Sequence, residues 1–132
     1  MSHQIIQPDG WAPAKGYANG VLTEGGTLYV GGQIGWSAAQ VFETDDFIGQ
    51  MEQVLRNIMD VVKAAGGDAS DLTRLTWYVI DKKEYAARQS EVGAIYRKVL
   101  GRNFPAMTMV VVAGLVEDDA LLEIEATAVI KR

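Results

Sequence analysis

The sequence predicts an α+β chain, a single mixed β-sheet with two helices packed on one face. Three observations predict it. Phe47, Met51, Val54, Leu55, Ile58, Val61, Val62 and Ala65 recur at helical spacing over about 45–65. β-rich segments stand before and after that stretch, with turn residues between them. No linker, repeat or low-complexity tract divides the 132 residues, so 1–132 reads as one domain large enough to bury a core.

A short strand fits Gln4–Gln7. Gly16–Thr23 leads into a second strand, and Thr27–Gly31 forms the next. Glu24-Gly25-Gly26 joins them as a hairpin turn, because glycine reaches positive φ without steric cost. Thr44, Asp45 and Asp46 offer caps and negative charge to the first helix, and Gly66-Gly67 ends it. Leu72–Ile80 alternates as a strand, with Leu75, Trp77 and Val79 on one side and Arg74, Thr76 and Tyr78 on the other. Lys83–Leu100 reads as one second helix, buried along Tyr85, Gln89, Val92, Tyr96 and Val99. Ala106–Val112 and Leu121–Ile130 are the last strands, joined by the acidic Val116–Ala120 connection.

Both helices cover one sheet face. The other is expected to carry Tyr29, Thr76, Tyr78, Met107, Met109 and Val111, too apolar to leave in water, so a second copy should cover it. On the last strand Leu122, Ile124, Ala126 and Ala128 should face the helices, and Glu123 and Glu125 the opposite side.

Composition excludes several functions. The chain has no cysteine, hence no disulfide, thiolate nucleophile or cysteine-bound zinc. Its one histidine, His3, cannot build a triad or a histidine metal site, so no metal or cofactor is expected. There is no apolar run of about eighteen residues, and the N-terminus lacks a signal-peptide pattern. A cytoplasmic protein off the membrane fits these features. Net charge −5 without a basic, aromatic-laced stripe argues against nucleic acid as a partner.

Four short segments carry a resemblance: Gly16-Tyr17, Val30-Gly31-Gly32-Gln33, Asn103-Phe104-Pro105-Ala106-Met107 and Leu122-Glu123-Ile124-Glu125-Ala126. In this order and spacing the chain resembles the Rid family of YjgF-like small proteins from about Gly16 to Val129. The resemblance implies a chorismate-mutase-like, YjgF-like fold in a homotrimer, with small-molecule ligands in clefts between subunits. It implies an enamine/imine deaminase, in which Glu123 positions the hydrolytic water. Family enzymes grip the substrate carboxylate with an arginine where this chain has Met107, and a thioether cannot make that bidentate contact. Gly31 stands where serine is usual, and Gly93 where asparagine is common.

The expected site is therefore Glu123 as the catalytic residue, with Tyr17, Gly31, Gly32 and Met107 against the substrate. Each has a plainer reading. Glu123 and Glu125 also suit solvated ion pairs with Arg74 or Arg102. Tyr17 and Trp36 also suit interface packing, and Met107 also suits space-filling. Arg102 is a candidate to replace the missing cation, or a solvent-exposed charge at a helix end. Three functions follow: a deaminase with altered substrate range, a non-catalytic small-ligand-binding trimer, or an endoribonuclease. Charge and the lack of a catalytic histidine disfavour the last.

Overall fold

The computed structural model describes residues 3–130; positions 1, 2, 131 and 132 of the expected domain lie outside them. The strands are β1 (Gln4–Ile6), β2 (Gly20–Leu22), β3 (Thr27–Ile34), β4 (Leu72–Val79), β5 (Ala106–Val111) and β6 (Leu122–Val129). They form one sheet in the order β1-β2-β3-β6-β4-β5. Only β4 and β5 pair in parallel, so the sheet is mixed as expected. A parallel pair needs a long crossover, and the helical segment between β4 and β5 supplies it.

Helix α1 spans Phe47–Ala64. Asp46 caps it, its carboxylate accepting from the Gly49 N–H at 3.2 Å, and Gly66 ends it at φ 90°. Every apolar position of the predicted stripe is buried against the sheet. Leu55 and Ile58 are fully enclosed, and burying such a side chain stabilises the fold by about 1.5–3 kcal/mol. From β6, Leu122, Ile124, Ala126 and Ala128 join this core, as the alternation predicted.

The predicted single helix over Lys83–Leu100 is in fact two, α2 (Lys82–Ala87) and α3 (Gln89–Leu100). Arg88 leaves helical geometry at φ −123°, ψ 30°. Its guanidinium donates to Asp46 at 2.6 Å and to Glu91 at 2.9 Å, tying the start of α1 to the start of α3. The break lets Tyr85 on α2 meet Trp77 edge-on at 6.4 Å, while α3 turns Val92 and Leu100 inward. Gln89, expected in the buried stripe, is exposed for the same reason.

The exposed sheet face also differs in detail. Met107, Met109 and Val111 pair with Leu75, Trp77 and Val79, all buried under the helices, so they belong to the helix side of edge strand β5. Neighbouring residues in register share a face. The open side carries Tyr29, Thr76, Tyr78, Val110 and Val129 instead, with Glu123 and Glu125. Tyr29 there is 55% exposed, so the open face does keep apolar surface.

Candidate functional site

The β2–β3 hairpin, β6 and the 112–121 connection enclose a cavity of about 390 Å³, lined by Tyr17, Gly31, Gly32, Trp36, Val116 and Glu123 among others. Its shape comes from a bulge in β3. Val30 pairs with Ala126 and Gln33 with Ile124, so β3 spends one residue more than β6 between those points. Gly31 and Gly32 form the bulge, and the extra residue reverses the alternation beyond it. Gln33 is thereby turned inward, where its amide donates to Asn19 Oδ1 and to the Gly31 carbonyl, both at 3.1 Å. Asn19 in turn donates to Gln7 at 3.0 Å. The buried amides of Gln33 and Asn19 are thereby paired, which fixes the cavity wall.

Glycine at 32 leaves the space in which the Glu123 carboxylate lies against the β3 backbone. A Cβ there would fall on the Glu123 carboxylate, 2.8 Å from its Cδ. At Gly31 a Cβ would stand 3.0 Å from the Ala18 carbonyl. The two glycines thus let the acid and the hairpin entry close on the β3 backbone.

The two glutamates of β6 differ sharply. Glu125 accepts from the Tyr78 hydroxyl at 2.5 Å and is exposed. Glu123 is half-buried and has no hydrogen-bond or ion-pair partner among the described residues. Burial, and then the charge of Glu125, pushes the Glu123 carboxyl above its ordinary value. Neither Arg74 nor Arg102 pairs with either acid. A raised, unpaired carboxylate against an open cavity can hold a water and take its proton.

Met107 is not in this cavity. It lines a second one of about 330 Å³, with Leu75, Trp77, Val92, Tyr96 and Arg97. Met107 pairs with Leu75 and Glu123 with Tyr78, three residues further along β4 and on the other sheet face. Four expected site residues therefore converge within one chain, and the fifth does not. The loop before β5 is pinned beside this second cavity. Tyr96 donates its hydroxyl to the Asn103 carbonyl at 2.5 Å, and its ring stacks on Phe104 at 5.6 Å. Arg102 is exposed and lines neither cavity. The cation that does line the second one, Arg97, was missed. Its signal was present: a glycine four residues earlier on the helix leaves room for a long side chain to lie back over it. Among the described residues no group of three or more His, Asp or Glu side chains could hold a metal ion, and no helix is long and apolar enough to cross a membrane.

The family model described as Endoribonuclease L-PSP matches residues 8–130. A RutC family protein of Haemophilus influenzae is 33% identical over 131 residues, covering 99% of this chain and 100% of that protein. Among solved structures, YyfA of the Rid protein family from Yersinia pestis matches with a TM-score of 0.84 at 28% identity, over 98% of this chain and 100% of its own. TdcF of E. coli, solved with bound serine, matches with a TM-score of 0.82 at 27% identity, over 97% of this chain and 99% of its own.

Proposed function

The chain belongs to the Endoribonuclease L-PSP family, alongside Rid and RutC proteins, and from that premise we propose that it hydrolyses reactive imines or enamines with release of ammonia. The observation that carries this reading is Glu123: an unpaired, half-buried carboxylate with a raised pKa, set against a glycine bulge in a cavity.

The chemistry needs one acid that changes roles. The Glu123 carboxylate takes a proton from water as the water oxygen bonds to the C=N carbon. The carbon is that of a protonated imine, C=NH2+, whose π pair moves to nitrogen to give the neutral amine of a carbinolamine. Protonated Glu123 then returns its proton to that nitrogen. The regenerated carboxylate takes the hydroxyl proton as the C–N bond breaks, the carbonyl forms and ammonia leaves, and that proton then passes to the ammonia as ammonium. An enamine enters the same route after tautomerising to the imine.

The working cleft in this reading lies between subunits of a homotrimer. Tyr17, Gly31, Gly32 and Glu123 come from one copy and Met107 from its neighbour. The apolar surface left on the open sheet face supports such an assembly. Serine bound to TdcF supports an amino-acid-like ligand. With Met107 in place of an arginine, small 2-imino acids are held weakly, and the substrate range shifts. The family's description names a nuclease, but net charge −5 works against binding a polyphosphate.

The test is ammonia release from freshly generated 2-imino acids of several side-chain sizes. Release that Glu123→Gln abolishes supports the hydrolase. Equal release by the variant overturns the role of Glu123, and saturable binding with release no faster than without protein favours a non-catalytic ligand-binding trimer; Met107 gives that second reading its support.

A further inference from the structure

We infer that the cavity beneath α3 is a specificity pocket for apolar monocarboxylates, with Arg97 as the residue that holds the carboxylate. The inference rests on the proposed reading, since the pocket includes the Met107 wall of the proposed cleft, and it names the class of ligand.

Three independent features point this way. The first is the cavity itself: about 330 Å³, within the range of small-molecule sites, walled by Leu75, Val92, Tyr96 and Met107. Met107 is 52% exposed there, an apolar side chain with space beside it. The second is Trp77. It is 2% exposed and lines the cavity, and its indole Nε1 is the one buried side-chain donor without a hydrogen-bond partner among the described residues. Buried donors are nearly always paired, and in the inferred complex an acceptor on the ligand would satisfy this one.

The third is Arg97. Its guanidinium folds back over the preceding turn of α3, and a Cβ at Gly93 would lie 3.2 Å from Nη1. Glycine in a helix interior is unfavourable, and here it clears the space the guanidinium occupies. Arg97 makes no ion pair among the described residues. Nine positions earlier Arg88 engages Asp46, Glu84 and Glu91. An unpaired guanidinium beside an apolar hollow suits a carboxylate whose hydrocarbon body enters the hollow. A ligand as small as 2-iminopropionate leaves that hollow unfilled. A branched-chain or aromatic 2-oxo or 2-imino acid fills it.

The test uses the full chain and a ligand that releases no ammonia, so hydrolysis does not enter. Isothermal titration compares 4-methyl-2-oxopentanoate with its ethyl ester and with pyruvate. The expected result is saturable binding of the first, at least tenfold weaker for the other two. Arg97→Gln should weaken binding at least tenfold, Arg97→Lys should restore part of it, and Trp77→Phe should weaken it several-fold, circular dichroism checking that each variant folds. No saturable binding, or equal binding of acid and ester, or an unaltered Kd in Arg97→Gln, overturns the inference. Loss of ammonia release in Glu123→Gln, or its absence, reports on the hydrolase reading alone.

Discussion

The cavity at Glu123 and the cavity at Met107 sit on opposite faces of the same sheet and are built in opposite ways. At Glu123 the walls mix apolar side chains such as Trp36 and Val116 with satisfied amides: Gln33 and Asn19, linked on to Gln7, form a chain of amide hydrogen bonds beside one unpaired acid. At Met107 the walls are apolar, and the unpaired groups are a cation, Arg97, and an indole N–H. One is shaped by a β-bulge at two glycines, the other by a helix broken at Arg88 and thinned at Gly93. Under the proposed function, proton transfer falls to one wall and ligand selection to the other. Within one chain the sheet separates them, so the two can serve one ligand only if copies of the chain meet.

Removing the acid should break the comparison most completely. Glu123→Gln is expected to lower kcat/KM for ammonia release by about 10²–10⁴-fold, the usual worth of a positioned general base. Stopped assays on freshly formed imines measure it, and Glu125→Gln, on the exposed acid held by Tyr78, should fall far less. Unchanged rates in Glu123→Gln would mean the Glu123 cavity does no proton transfer.

Met107→Arg should erase the apolar character of the other wall. A bidentate contact to a small substrate carboxylate is worth roughly 2–5 kcal/mol, or about 30- to several-thousand-fold in rate. The expected outcome is faster turnover of 2-iminopropionate and slower turnover of bulky substrates. A uniform change in both would show that residue 107 does not face the ligand.

Gly32→Ala tests the bulge. The new methyl group occupies the place of the Glu123 carboxylate, whose flexible end can swing aside. Activity should fall by about 10²-fold, as small misplacements of a catalytic group do, with thermal stability nearly unchanged. Full activity would show that Glu123 works equally well from another position.

A smaller effect separates the two walls by pH. Because burial raises the Glu123 pKa above its ordinary 4.5, the native state holds that proton more tightly than the unfolded chain does. Stability linked to this group is complete below pH 4.5 and is lost as pH rises through the raised value. Glu123→Gln should thus stabilise the chain at neutral pH by less than about 1 kcal/mol and make no gain in acid. The acid limb of the activity profile should likewise lie above pH 4.5.

The least effect is expected from Arg88→Met at the helix break. Arg88 holds the Asp46 carboxyl below its ordinary 3.8, so this contribution is present above that pH and lost as pH falls. The pair is exposed, so the variant should lower Tm only slightly, and less so in high salt. A large drop would mean that the break also holds the Met107 cavity open.

The pattern of apolar residues in the sequence was enough for much of the architecture. The α1 stripe from Phe47 to Ala65 is buried throughout, because a 3.6-residue repeat forces those side chains onto one face. Alternation along β6 separated Ile124 from Glu123 for the same kind of reason. Met107, Met109 and Val111 were set on the wrong face, because an edge strand half-exposed on both sides carries no clear alternation. The break at Arg88 was not legible either, since the helical repeat runs across it unbroken in the sequence.

What the sequence determined by itself was local: the long first helix and the strands, the faces that α1 and β6 bury, and a pair of candidate acids with no thiol or usable histidine. Tertiary structure alone decided which acid stands free. Tyr78 captures Glu125, while Glu123 settles over a glycine 91 residues earlier in the chain. It also decided that Arg88 is consumed by Asp46, 42 residues away, and that Arg97 is not. The physical reason is common to all of these. Backbone periodicity is set by near neighbours along the chain, whereas the charge state and freedom of a side chain are set by the groups that folding brings beside it.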